Sequence, residues 1–174
     1  MKKVTNCTVV DVFAGAGGLT HGFALEGFQV AAGIDADIVC QYPYSYNNPG
    51  AQFIHAKIED VKADTVLELY PEDHIKVLVG CAPCQPFSAY TRKQEKHENW
   101  NLLYSFAQLV EDVQPDIISM ENVPRLKTYE EGKVFYDFLA LLNQNGYHIN
   151  WDARIYAPDY GVPQHRYRLI LIAS

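Results

Sequence analysis

The sequence predicts an α/β domain built on a doubly wound, mostly parallel sheet, and three observations predict it. Short β-rich apolar runs alternate with segments of helical period along the chain, the pattern of successive βαβ units. The first run, Thr8-Val9-Val10-Asp11-Val12-Phe13, opens through Gly15, Gly17 and Gly18 into a helical segment, as a strand does when it turns tightly into its crossover helix. Polar groups recur where the strands end: the glycine turn, Asp35, Cys84 and Glu121. Ligands of open parallel sheets bind outside the carboxyl ends of the strands, so these groups mark one edge.

The elements follow in order. A helix over residues 19–26 is stopped by Gly27. A second strand over 28–34 ends at Asp35, and a tyrosine-rich stretch with Pro43 and Pro49 follows, to which no element is assigned. A short third strand lies near Phe53-Ile54, then a helix over 61–70. The fourth strand, 76–79, delivers Gly80-Cys81-Ala82-Pro83-Cys84-Gln85-Pro86-Phe87-Ser88. Residues 85–100 are polar and aperiodic, expected as a long mobile loop at the sheet edge. A helix over 101–113 leads to a fifth strand, 116–120, which ends at Glu121-Asn122-Val123-Pro124. A helix over 131–145 stops at Gly146. Two closing strands, 147–156 and 168–173, flank a loop holding Pro158, Gly161, Pro163, Gln164, His165 and Arg166, and the last strand is expected to run antiparallel.

With 174 residues, 48% hydrophobic and 20% charged, the chain reads as one domain over 1–174. The start is too brief for a signal peptide, and no stretch approaches the roughly 18 apolar residues of a membrane span. Four cysteines with one C-x-x-C spacing read as reduced thiols, which places the chain in the cytoplasm and makes the Asn6-Cys7-Thr8 sequon irrelevant. A net charge of −7 argues against a surface that embraces nucleic acid throughout. Any contact with DNA is local or shared.

Gly15-x-Gly17-Gly18 lets the backbone approach a ligand closely, and Asp35 stands about 20 positions on, where an acid can hold ribose hydroxyls. An adenosine compound is the favoured ligand. Cys84 has four readings. A buried core thiol fits Cys7 and Cys40 better, because Pro83 and Pro86 put Cys84 in a loop. Zinc needs a second ligand pair at finger spacing, which is missing, so no metal is expected. A redox C-x-x-C should open directly into a helix, and Pro86 weakens that. The remaining reading is a nucleophile, with Cys81 a packing neighbour. Glu121 points to the same edge, where a strand-end carboxylate either caps a turn or takes part in catalysis. Arg166 and Arg168 flank Tyr167 and lie on one face of an extended segment, either as a solvated edge or as a clamp for a phosphate or a base carbonyl.

Together, Asp11-Val12-Phe13-Ala14-Gly15-Ala16-Gly17-Gly18, the Pro83-Cys84-Gln85 loop, Glu121-Asn122-Val123 and Gln164-His165-Arg166-Tyr167-Arg168 closely resemble the catalytic half of the S-adenosylmethionine-dependent DNA (cytosine-5)-methyltransferases. The similarity runs over residues 9–173 and implies a Rossmann-like methyltransferase sheet. It implies that Cys84 adds to cytosine C6 and makes C5 able to accept a methyl group. It implies that Glu121 engages N3 and the exocyclic amine as a hydrogen-bonding carboxylate, with Arg166 and Arg168 contacting the base and the active-site groups. An ordinary thiol is largely protonated near neutrality, so Cys84 needs nearby positive charge. The target carbon is unreachable in a stacked duplex, so the substrate implied is double-stranded DNA with a flipped cytosine. Gln85, Ser88, Asn122 and Gln164 then belong to the substrate side. Phe13, Ala14, Gly15, Gly17 and Gly18 match the methionine-side turn of the cofactor site, Asp35 the ribose acid and Leu102 an apolar contact, with Ala36, Ile58 and Pro83 completing the set.

Two departures stand out. The family places an acid at the position of Lys57 to meet the adenine amino group, a bond that Lys57 cannot accept, leaving Glu59 or Asp60 to substitute. Asp-x-Arg, common after the mobile loop, is replaced by Glu98-Asn99-Trp100. The family also continues into a target-recognition region and two further motifs. The expectation is therefore a truncated catalytic domain or one piece of a split enzyme, inactive or very weak on duplex DNA by itself and completed by a second chain or region. The alternatives are a degenerate cofactor-binding or regulatory subunit, a thiol oxidoreductase using Cys81 and Cys84, and a tRNA cytosine-5 methyltransferase.

Overall fold

A computed structural model describes residues 6–83 and 101–174. Among the described residues, seven strands, β1 (Cys7–Val12), β2 (Gln29–Asp35), β3 (Gln52–His55), β4 (Ile75–Gly80), β5 (Ile117–Asn122), β6 (Ile149–Tyr156) and β7 (Tyr167–Ala173), form one sheet in the order β3-β2-β1-β4-β5-β7-β6. The helices are α1 (Gly18–Leu25), α2 (Gln41–Asn47), α3 (Ala63–Leu67), α4 (Asn101–Val113) and α5 (Lys133–Gln144). Neighbours from β3 through β5 pair in parallel, and β7 runs antiparallel to both β5 and β6. The doubly wound sheet and its reversed last strand are those the sequence predicts. The winding reverses between β1 and β4, and the crevice above that point is where such a sheet accepts a ligand.

Every residue of β1 is buried, so its apolar residues do not alternate with exposed ones, and Thr8 and Asp11 are buried among them. Val10, Val12, Leu78, Ile118, Met120, Leu169 and Leu171 pack on one face with Phe106, Val110, Phe135, Phe138 and Leu142. Cys7, Val9, Val30, Val77 and Val79 pack on the other with Leu19, Phe23 and Phe28. In α4 the buried positions Leu103, Phe106, Ala107, Val110 and Val113 recur at helical spacing, so its stripe seats the helix on the sheet. Each such fully buried side chain contributes on the order of 1.5–3 kcal/mol.

Three local departures have physical causes. α2 forms in the tyrosine-rich stretch because Pro43 occupies its first turn, where a backbone N–H has no intrahelical partner to lose. α3 covers only Ala63–Leu67 rather than 61–70, since Val61 and Lys62 are extended and Pro71 follows closely. α5 begins at Lys133 because Glu130 and Glu131 adopt left-handed backbone angles just before Gly132.

Candidate active site

The antiparallel partnership of β5 and β7 builds the acidic centre. Ile118, Met120 and Asn122 are buried on one face of β5, so Glu121 projects from the other. Its partner across the ladder is Ile170, which places Arg168, two residues away, on the same face and within diagonal reach. Arg168 Nε lies 2.7 Å from Glu121 Oε1, and its Nη1 donates to the carbonyl of Tyr167 at 2.7 Å. Arg166 Nη2 stands farther off, at 3.9 Å from the same oxygen. Both arginines thus face Glu121 as their alternation predicts. The other oxygen, Oε2, accepts from the Cys81 thiol at 2.6 Å. This corrects the expectation of Cys81 as packing: the thiol leaves β4 beside β5 and is a polar partner of the carboxylate.

Asn122 is buried; its Nδ2 donates to the carbonyl of Ala82 at 3.2 Å and its Oδ1 accepts from the N–H of Val123 at 2.8 Å. It braces the exit from β4. Gln164 is exposed, with its backbone N–H donating to the carbonyl of Val162. Cys84, Gln85 and Ser88 lie outside the described residues.

Beside this centre, the turn after β1 is tied to the end of β2. The N–H of Ala14 donates to the Ile34 carbonyl at 3.1 Å, that of Gly15 to Asp35 Oδ2 at 2.8 Å, and that of Asp37 to Asp35 Oδ1 at 2.8 Å. Phe13 takes a left-handed φ of 60°, a conformation costing about 1–2 kcal/mol for an L residue, and its ring meets Phe106 edge-on at 6.5 Å. A cavity of about 100 Å³ results, lined by Phe13, Ile34, Asp35, Ala36, Ala56, Ile58, Glu59, Pro83 and Leu102. Six of the predicted cofactor residues meet there. Ala14, Gly15, Gly17 and Gly18 form the adjoining turn instead. Glu59 reaches the cavity, whereas Lys57 and Asp60 do not. Ile34 and Ala56 were missed because apolar residues ending parallel strands look alike in sequence whether they face a ligand or a core.

A larger hollow of about 360 Å³ lies between α1 and the amino ends of β2 and β3. It lies behind the glycine turn, with Thr20 and Asn48 in its wall, and shares no lining residue with the smaller cavity, so chemistry rather than size decides which cavity matters. Asp11, fully buried beneath the turn, is pushed up to about 7, mainly by burial, against hydrogen bonds from Thr20. Among the described residues, no group of three or more His, Cys, Asp or Glu could hold a metal ion. None of their helices is long and apolar enough to cross a membrane.

Residues 7–174 match the family described as C-5 cytosine-specific DNA methylase. The chain belongs to this family. A type II methylase of Herpetosiphon aurantiacus, M.HgiDII, is 49% identical over 166 residues, covering 95% of this chain and 46% of that protein. The type II methyltransferase M.XorII of Xanthomonas oryzae pv. oryzae is 30% identical over 168 residues, covering 95% and 40%. Among solved structures, one described as a DNA modification methyltransferase encoded within a prophage (E. coli) superposes with a TM-score of 0.82 at 26% identity, over 96% of this chain and 46% of that one. The Dnmt2 methyltransferase of S. pombe has the same fold, with a TM-score of 0.73 at 21% identity. This C-5 cytosine-specific methylase chain therefore spans about half the length of the curated relatives it matches.

Proposed function

We propose that the protein transfers a methyl group from S-adenosylmethionine to C5 of a cytosine flipped out of double-stranded DNA. The observation that carries this reading is the placement of Glu121, held by Arg168 and Cys81, at the same sheet edge as the cavity between Phe13, Asp35, Glu59 and Leu102, in a chain of this family.

The cavity suits the adenosine part of the cofactor. Apolar Phe13, Ile34, Ala36, Ile58 and Leu102 accept a flat heteroaromatic ring, and two carboxylates stand among them. Asp35 uses one acceptor position on each oxygen for the backbone, and a carboxylate has about four in all, so it keeps capacity for ribose hydroxyls. Glu59 supplies the acceptor for an adenine amino group in place of Lys57. When bound, S-adenosylmethionine supplies an electrophilic methyl group.

Cytosine C5 is a poor nucleophile, and the role of Cys84 is to add its thiolate to C6, raising electron density at C5. Glu121 accepts from N3–H and the exocyclic amine of the ring so protonated, the proton arriving through solvent. Arg168 orients that carboxylate, and the more loosely held Arg166 reaches the base carbonyl. Once C5 carries the methyl group, its proton passes to a base, the C6–S bond breaks and Cys84 leaves as thiolate. Sequence choice and most of the phosphate grip belong to a target-recognition region in further sequence or in a second chain, consistent with a net charge of −7 on this one. The place of action is the cytoplasm, on DNA of the nucleoid.

Duplex DNA carrying 5-fluorocytosine tests the reading, because fluorine cannot leave as a proton and the adduct persists. With the target-recognition region supplied, a cofactor-dependent covalent complex lost in Cys84→Ala is expected. Its absence under those conditions removes the methyltransferase reading.

A further inference from the structure

α2, which sequence reasoning did not assign, lies directly behind the cofactor turn. Tyr44 is fully buried. A Cβ placed on Gly33 would come within 2.3 Å of its ring, and one on Gly17 within 2.8 Å of it and 2.2 Å of Asn48 Nδ2. The ring therefore occupies space that only glycine at both positions leaves open. Asn48, also buried, donates from Nδ2 to the carbonyls of Gly17 at 3.4 Å and Tyr44 at 3.0 Å. The Tyr44 hydroxyl lies 3.2 Å from Thr20 Oγ1, which donates to Asp11 Oδ2 at 2.7 Å, while the N–H of Thr20 donates to the same oxygen at 3.1 Å. Because the Thr20 hydrogen is committed to Asp11, Tyr44 is the donor to Thr20. Burial, the largest influence on Tyr44, raises its hydroxyl to about 12, so it keeps the hydrogen it donates.

We infer that Tyr44 and Asn48 are positioning residues for the cofactor site, setting the height of the glycine turn against the end of β2 and so preorganising the two arms that close on the adenosine compound. One arm is the turn itself, held through Gly17 and Thr20. The other is Gly33-Ile34-Asp35, backed by the same ring. The arms are joined above it by the bonds from Ala14 to Ile34 and from Gly15 to Asp35. Binding energy is greatest when these groups need no ordering on ligand entry. The inference rests on the proposed cofactor reading and goes beyond it, since neither residue lines the cavity.

Calorimetry with S-adenosylhomocysteine tests it, at a temperature where every variant is fully folded by circular dichroism. A merely structural role leaves affinity unmoved once folding is complete. Tyr44→Phe is expected to weaken binding about fivefold, as removal of one buried hydrogen bond allows, and Asn48→Ala, which removes two, by at least as much. Tyr42→Phe, on the exposed side of the same helix, should leave it unchanged. Combining Tyr44→Phe with Thr20→Val should cost less than the sum of the two, since both break one relay. Wild-type affinity in folded Tyr44→Phe and Asn48→Ala proteins overturns the inference while sparing the cofactor reading. No binding by the wild-type protein at millimolar ligand overturns that reading, and the inference with it.

Discussion

Arg168 grips Glu121 through Nε at 2.7 Å while spending Nη1 on the carbonyl of its own neighbour, Tyr167. The guanidinium is thus anchored at one end and aims the carboxylate with the other. With side-chain exposures of 23% and 21%, the pair is too open to water for a large share in stability, so its value lies in orientation. Arg168→Ala should lower the single-turnover rate of methyl transfer by on the order of 100-fold with little change in the melting point. Arg168→Lys should recover only part, since an ammonium cannot hold carbonyl and carboxylate in one plane. Equal rates for Arg168→Ala and wild type would show that Arg166 suffices.

Cys81 separates the methyltransferase and thiol-redox readings. Its thiol donates to Glu121 Oε2, a bond that a serine hydroxyl can replace and a methyl group cannot. Cys81→Ser should methylate at close to the wild-type rate, and Cys81→Ala should lose about fivefold, the worth of one hydrogen bond. Loss of all function in Cys81→Ser, together with a reversible disulfide in the wild-type protein, would instead favour oxidoreductase chemistry.

Glu59 carries the adenine contact in the proposed site. Glu59→Ala should weaken S-adenosylhomocysteine by roughly 10- to 100-fold, as loss of a hydrogen bond to a charged group implies. Lys57→Ala should leave affinity within about twofold, because Lys57 does not line the cavity. Calorimetry on the two variants decides the matter, and the reverse ranking would return the role to position 57.

Asp11 should make stability fall as pH rises. The folded chain holds its proton up to about 7, whereas the unfolded one releases it near the ordinary aspartate value of about 3.9. Its contribution is therefore full below the unfolded value and is lost as pH climbs through the folded one. Burial is the main cause, and the charge of Asp35 adds to it; the Thr20 N–H and hydroxyl act in the opposite sense. Oδ1 is buried without a hydrogen-bond partner, so a charge on this carboxylate is poorly compensated. Urea denaturation of wild type and Asp11→Asn between about pH 5 and pH 8 should diverge in the variant's favour as pH rises. Parallel curves would contradict this account.

Phe106 links the core to the site. It is fully buried, stacks on Phe138 at 5.8 Å and meets Phe13 at the cavity wall. Phe106→Ala should cost about 3–5 kcal/mol in chemical denaturation. It should also weaken S-adenosylhomocysteine binding by the folded fraction, because Phe13 loses the surface that holds its ring.

The sequence by itself determined the layer order of the fold, because buried parallel strands must be continuously apolar and glycine must follow a strand that turns sharply into a helix. It also determined that Asp35, Glu121 and the Arg166/Arg168 pair share one edge, since strand ends and two-residue alternation are written locally. Only the tertiary structure decided what those groups touch. That Cys81 is bound to Glu121 depends on β4 lying beside β5, a pairing between residues forty positions apart. That Glu59 rather than Lys57 or Asp60 reaches the cavity depends on one short turn after β3. Tyr44 was hidden for a related reason: Pro43 suppresses the helical reading of α2, and nothing local says that a tyrosine will fill the space left by one glycine in the turn after β1 and another in β2. Spacing along the chain sets which way a side chain points, but its partners come from segments that only the folded sheet brings together.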